Sequence, residues 1–319
     1  MFKTRISGLA IALSLVLIPS IPSFVAAADE VEEVVAIGTR REARSVGDSP
    51  APVDIISGSD FTNQGAADLP DMIRTLVPSF NVNTQPISDA ATLIRPANLR
   101  GLPPDNMLVL VNGKRRHRGA VISFLGSGIS DGAQGPDISA IPSIALKQVE
   151  VLRDGAAAQY GSDAIAGIMN FVYKDNAEGT QIEIRSGEYA DGDGDMYRIA
   201  ANVGMPFTAN GFANVSIELQ ESDATSRSVQ RGDAQALYDG GNAAIWNYPN
   251  PAQVWGSPDV SDDVKLVANI GLELDTNKEF YLFGNYAERK VLGGFFFRNP
   301  TNRGGIFSTD GGTTRMVLD

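Results

Sequence analysis

Val149-Glu150-Val151-Leu152-Arg153-Asp154-Gly155-Ala156-Ala157-Ala158-Gln159-Tyr160-Gly161-Ser162-Asp163-Ala164-Ile165-Ala166-Gly167 is the most informative stretch of this 319-residue chain. Together with Leu146-Lys147-Gln148 before it, it reads as a strand over 146–152 followed by a turn started at Asp154-Gly155. An Ala-rich helical turn from Ala156 to Tyr160 comes next, and Gly167 to Tyr173 is apolar and extended. Strand, short helix and strand in such close succession point to a mixed α and β unit.

Upstream of that stretch the same mixture continues. Val53-Asp54-Ile55-Ile56 is strand-like, and Ser59 or Asp60 can cap a helix running through Ala66 and Asp68 to Leu76. A short strand is expected near Phe80 to Asn83 and another over Met107 to Val111, the latter ended by the turn pair Asn112-Gly113. The basic run Lys114 to Arg118 follows; it is either a solvated turn or a reach toward an anionic ligand. With the Gly-rich loop from Gly126 to Pro136, these elements make an α+β unit of roughly 120 residues, a usual domain size.

Downstream of about Gly179 the period changes to two. Ile182 and Ile184 alternate with Glu183 and Arg185, Tyr197 to Val203 with Arg198 and Asn202, Val215 to Leu219 with Ser216 and Glu218, and Leu266 to Leu274 with Asn269 and Glu273. A fifth segment, Phe280 to Arg289, is aromatic and ambiguous in face. The connections alternate in length: Gly187 to Asp195, the tight Pro206 to Gly211, the long Ser222 to Asp263, and the short Asp275 to Lys278. Five strands of membrane-crossing length, with short turns at one end and long loops at the other, are the asymmetry of an outer-membrane barrel. A soluble β-sandwich is the alternative, but nothing in it would order the loops this way.

At the amino terminus Lys3 and Arg5 precede an apolar run from Ile6 to Ile18, then Pro19, Pro22 and Ala26-Ala27-Ala28. That is the order of a secretory signal peptide cleaved after Ala28; the run is short for a spanning helix, and Pro19 interrupts it. Immediately after it, Asp29 to Gly38 is acidic and then rich in strand formers. With no partner strand nearby in sequence, this segment either pairs with the edge of another protein or serves as an internal strand of the following unit.

Composition narrows the remaining function classes. With 38 acidic against 26 basic residues and a net charge of -12, a broad grip on nucleic acid is not expected, though local basic spots remain. The absence of Cys removes disulfides, thiolate metal sites and thiol nucleophiles. His117, the only histidine, sits inside the basic run and is a poor triad member. Gly113-Lys114 is not a phosphate loop, because Leu108 and Arg115 stand where Gly and Ser or Thr are needed. Asp191, Asp193 and Asp195 open like a calcium loop, but Met196 and Asn202 occupy its Gly and Glu positions. No enzyme, metal site or cofactor is expected.

Three stretches in order resemble TonB-dependent outer-membrane receptors. Glu32-Glu33-Val34-Val35-Ala36-Ile37-Gly38-Thr39-Arg40 resembles the TonB box, Leu99-Arg100-Gly101 with Asp105 to Gly113 the plug core, and Val149 to Asn170 the plug end. The resemblance covers residues 29 to about 290. It implies an α+β plug followed by antiparallel transmembrane β-barrel strands, laid out as a leader over 1–28, TonB box and linker over 29–48, plug over 49–178 and the start of a barrel over 179–319. Box residues Glu32, Glu33, Val34, Val35, Ala36 and Ile37 would contact the TonB C-terminal domain, itself driven by the ExbB/ExbD complex. Leu99, Arg100, Gly101, Asn112, Gly113, Arg153, Asp154, Gly155, Tyr160, Gly161 and Gly167 are the plug-motif positions.

Further expectations follow from the resemblance. The protein would sit in bacterial outer-membrane lipid and import an extracellular small-molecule or oligomeric ligand, such as an iron chelate, cobalamin or saccharide, with ligand contacts unassigned. A binding or adhesion module without transport is the alternative. Arg100 and Arg153 would either pair with carboxylates on the barrel's inner wall or be ordinary solvated or intra-plug arginines. Two departures stand out: Ala36 and Ile37 replace the family's frequent Val and Thr, and about five strands replace the barrel's roughly 22, so the barrel is expected to be incomplete.

Overall fold

The computed structural model describes residues 34–35, 37, 44–45, 52–66, 68–82, 84, 91–123, 128–242, 245, 255–275, 278–294 and 299. The expected leader over 1–28 and the expected box residues Glu32, Glu33 and Ala36 lie outside them. Two short strands, β1 (Val34–Val35) and β2 (Arg44–Ser45), pair antiparallel. The expectation of a box strand without a nearby partner is therefore corrected: Arg44–Ser45 supplies one.

The mixed unit is built around a five-stranded sheet of β3 (Val53–Ser57), β6 (Met107–Val111), β7 (Lys114–Arg115), β8 (Leu146–Leu152) and β9 (Gly167–Tyr173), in the order β3-β8-β9-β6-β7. Only the β6 and β9 pair is parallel. A separate ladder joins β4 (Phe80–Val82) to β5 (Ala97–Leu99). Helices α1 (Gly58–Thr62), α2 (Leu69–Leu76), α3 (Ala91–Ile94) and α4 (Ala157–Tyr160) are short. Strands β6, β8 and β9 bury both faces, which is why they read as continuous apolar runs. One face packs Phe61, Met72, Ile73, Val149, Val151 and Phe171; the other packs Val53, Leu108, Leu110, Leu152 and Ile168.

The single helix expected from Ser59 or Asp60 to Leu76 is instead two. Ser57 caps the first, its hydroxyl accepting from the Asp60 amide while Asp60 accepts from the Ser57 amide. Pro70 then starts the second in its first turn, where a missing N–H costs nothing.

Strands β10 (Thr180–Gly187), β11 (Met196–Thr208), β12 (Gly211–Ser222), β13 (Asp259–Asp275) and β14 (Lys278–Leu292) form a second sheet, each paired antiparallel with its sequence neighbour. It does not close on itself. Helix α5 (Gly232–Asp239) lies in the long connection between β12 and β13. The sidedness of this sheet is inverted relative to a soluble protein. Ile184 is 75% exposed, and Ile182, Tyr197, Ile199, Leu219 and Leu282 also face outward, while Arg198 is 1% exposed and Glu218, Lys265 and Asn269 are buried with it against the first unit. Apolar residues outward and polar residues inward is the pattern of a barrel wall in lipid. Phe283 settles the ambiguous face of β14: it packs edge-on against Tyr173 at 6.2 Å.

Candidate functional site

Arg100 and Gly101 both have positive φ, +56° and +71°, and lie between the bridged residues Leu99 and Leu102. Asn112 and Gly113 repeat the geometry at +46° and +73° in the turn joining β6 to β7, the conformation for which Asn-Gly is favoured. The Asn112 side chain ties three elements together. Its Oδ1 accepts from the Tyr173 amide at 2.9 Å, and its Nδ2 donates to Asn269 Oδ1 on β13 at 3.2 Å. Gly113 N donates to Asn170 Oδ1 at 2.9 Å, and Asn170 Nδ2 donates to the buried Glu150 at 3.0 Å.

In the Val149 to Gly167 motif, Arg115 of β7 donates to Asp163 and to the Tyr160 carbonyl, joining the motif to the Asn-Gly hairpin. Asp154 Oδ1 accepts from the Gly155 amide at 2.7 Å. Gly161 has φ +97° and Gly167 +140°, and a Cβ on Gly167 would run into the Leu152 carbonyl oxygen and the Leu99 side chain. Glycine is required there.

Of the readings open for the two motif arginines, Arg153 follows the one that keeps it within the plug and Arg100 the exposed one. Arg153 binds Asp54 with Nε at 2.6 Å and Nη2 at 2.7 Å, because β3 and β8 set Val53 opposite Leu152 and bring the two side chains to the same strand ends. Arg100 is exposed, and its amide donates to Ser79 O at 2.7 Å. Three cations that join the two sheets sit on the wall. Arg185 donates to four carbonyls at the end of α1 and beyond it: Phe61 at 3.1 Å, Thr62 at 2.8 Å, Gln64 at 2.5 Å and Ala66 at 3.1 Å. Arg198 donates to Ser143 Oγ at 2.6 Å and is neutralised by Glu183 at 2.8 Å and Glu218 at 2.6 Å. Arg289 donates to Ser139 Oγ at 2.7 Å and to the Leu93 carbonyl. Arg198 is buried and the other two are partly so, and guanidiniums withdrawn from water are tolerable only because each finds anions or acceptors.

The basic run is a largely solvated turn, with Lys114, Arg115, His117 and Arg118 exposed, and it is tethered at several points. Arg116 donates to Asn285 at 2.5 Å, Lys114 lies 5.2 Å from the Tyr281 ring centroid, and Arg118 pairs with Asp105 at 3.4 Å, while His117 is exposed. Two of its five residues therefore touch β14.

At the long-loop end of the wall a cavity of about 470 Å³ opens between α2, the segment before it, and the ends of β11 to β14. Its lining includes Asp68, Asp71, Arg95, Gln220, Asp263 and Arg289, none of which the sequence singled out. Arg95, at φ +53°, donates to Asp68 at 2.8 Å and Asp71 at 3.0 Å. Burial opposes its charge most strongly, but the two carboxylates outweigh that and raise its pKa above the ordinary arginine value.

Above the cavity Arg227 clasps two loops together, reaching Asp193 at 2.6 Å and Asp191 at 2.9 Å. The hydrogen bond from Arg227 leads the influences that hold the Asp193 carboxyl below its usual value. A guanidinium thus occupies the place that the calcium-like spacing suggested for a cation.

Val34 and Val35 lie in the β1 and β2 hairpin, and Ile37 is 2% exposed within the cluster of Val53, Leu108, Leu110 and Leu152. Backbone pairing and an apolar anchor thus act within the four residues from Val34 to Ile37.

The TonB-dependent receptor plug domain family matches residues 45–168. The vitamin B12 transporter BtuB of Photobacterium profundum is 25% identical over 207 residues, which is 65% of this chain and 31% of that protein. The ferric enterobactin receptor of Pseudomonas aeruginosa is 26% identical over 210 residues, 64% of this chain and 27% of that protein. The chain spans less than a third of the length of these curated relatives. Among solved structures, a variant of the Pseudomonas aeruginosa ferric enterobactin receptor in complex with enterobactin superposes with a TM-score of 0.55 at 21% identity, over 76% of this chain and 33% of that one, a likeness of fold. Plug match, relatives and fold agree: residues 45–168 form a TonB-dependent receptor plug domain, and the chain is similar to TonB-dependent receptors over the plug and part of the barrel.

Proposed function

We propose that this chain is the plug and opening wall of an outer-membrane receptor that imports a scarce organic ligand, of the iron-chelate or cobalamin kind, using energy delivered through TonB. The observation that carries the reading is the inverted sidedness of β10 to β14, which presents an apolar surface to lipid and a polar surface to the plug. Ligand enters the cavity at the long-loop end, between α2 and the wall. The segment around Val34 to Ile37 then adds as a strand to the TonB C-terminal domain, with backbone pairing giving affinity and alternate side chains giving fit. Because Val34 and Val35 already pair with Ser45 and Arg44, TonB must exchange one short ladder for another.

The chemistry this requires is mechanical. Plug and wall are joined by hydrogen bonds and ion pairs that separate without covalent change. The relatives' names, a B12 transporter and an enterobactin receptor, support uptake of a ligand of that kind. Val35→Pro removes a ladder donor and is expected to abolish uptake while cell-surface binding of ligand persists. Normal uptake by that variant would sink the reading.

A further inference from the structure

The cavity at the long-loop end has a chemical bias. It is lined by five carboxylates, Asp68, Asp71, Glu188, Asp223 and Asp263, against the three guanidiniums of Arg74, Arg95 and Arg289. The guanidiniums are already engaged: Arg95 by Asp68 and Asp71, Arg74 by Asp71 at 3.2 Å, and Arg289 by Ser139 and the Leu93 carbonyl. Several acceptors are not. Asp263, 3% exposed, has an Oδ1 with no hydrogen-bond partner in the protein, and Gln220, 8% exposed, has an unpartnered Oε1; Asp68 Oδ1 is a third. Lys265 approaches Asp263 only through Oδ2 at 3.4 Å and is held more closely by Glu218 at 2.8 Å.

We propose, resting on the import reading above, that this cavity is a subsite for a cationic amine-bearing part of the imported ligand, a protonated amine or a guanidinium. Buried acceptors without donors are costly and are rare in folded proteins, so this group of them marks a place where a donor arrives. An ammonium brings three donors and no acceptor, matching Asp263 Oδ1, Gln220 Oε1 and Asp68 Oδ1 in kind. A polyanionic group would meet an excess of carboxylates, five against three guanidiniums, two of which already pair with Asp68 or Asp71. The volume, about 470 Å³, falls in the range of small-molecule sites.

The test is calorimetric titration of the receptor, purified from outer membranes in detergent, with spermidine as the cationic probe and citrate as the anionic one. Saturable spermidine binding is expected, with none for citrate. Asp263→Asn should weaken spermidine by about tenfold or more, the effect of losing one charged hydrogen bond. Gln220→Met removes an acceptor without changing charge, should weaken it several-fold, and decides the matter should Asp263→Asn fail to fold. Absent or unsaturable spermidine binding, equal affinity in wild type and the folded variants, or citrate binding as tightly as spermidine would each overturn the subsite. Val35→Pro separates the two readings: it leaves spermidine binding intact, and uptake surviving that change counts against energy coupling and not against the subsite.

Discussion

Arg185→Met asks how the wall holds the plug. The wild-type guanidinium is the common partner of four carbonyls at and after the end of α1. Met keeps much of the stem's volume and offers no donor. Counted singly, four hydrogen bonds from a charged donor at about 1.5–3 kcal/mol each would sum to far too much, because one side chain orders once and water reaches part of the site. Losing one partner of a buried charged network costs about 3–5 kcal/mol. The lower end applies here, since Glu183 retains Arg198 at 2.8 Å and is not orphaned. A local loss of about 3 kcal/mol corresponds to roughly a hundredfold faster opening of the segment from α1 to Ala66. Amide hydrogen exchange reads this directly, because the Gln64 amide donates to the Phe61 carbonyl inside the same cluster. Arg153→Met is the control: its ion pair with Asp54 is roughly half exposed on both sides and should matter by about 1 kcal/mol or less. Unchanged exchange at Gln64 in Arg185→Met, or an equal effect in both variants, would refute the assignment of plug anchoring to the wall.

Other predictions concern the plug motif, the lipid face and alkaline pH. Gly167→Ala combines a forbidden φ of +140° with a collision against the Leu152 carbonyl, and calorimetry should show the plug transition lowered or lost. Ile184→Arg on the outward face should cost about 2–4 kcal/mol if the residue lies near the bilayer midplane, seen as less folded receptor in outer-membrane fractions, whereas a Thr there should be tolerated. Burial pushes the Tyr173 phenol from 10.0 up to about 12. The folded state thus holds this proton more tightly than the unfolded chain, so the contribution to stability is complete below pH 10 and is lost as pH rises toward 12. Ultraviolet titration should show a late-ionising tyrosine that disappears in Tyr173→Phe.

The sequence carried what is local. Asn112-Gly113 announces its turn because few other pairs accept two successive positive φ values, and strands β10 to β13 show as alternation because each has one apolar and one polar face. Alternation does not say which face turns outward, so the inverted burial of Ile184 and Arg198 had to come from the structure. Capping at Ser57 rather than Ser59 or Asp60 was hidden because three candidate cap residues stand within four positions. The roles of Arg185, Arg95 and Asp263 depend on partners distant in the chain, and no spacing reveals those. Arg153 was legible as a conspicuous motif cation, but its partner Asp54 lies 99 residues away along the chain.

Energy coupling through the segment before the plug is tested most directly with a peptide of residues 29–48 and the purified periplasmic domain of TonB from the same organism, followed by amide chemical shifts. The account predicts shifts confined to one sheet edge of the TonB domain and to Val34 through Ile37 of the peptide, abolished by Val35→Pro. Absence of binding at millimolar peptide would contradict it and leave a plug-bearing binding module without energy-coupled transport.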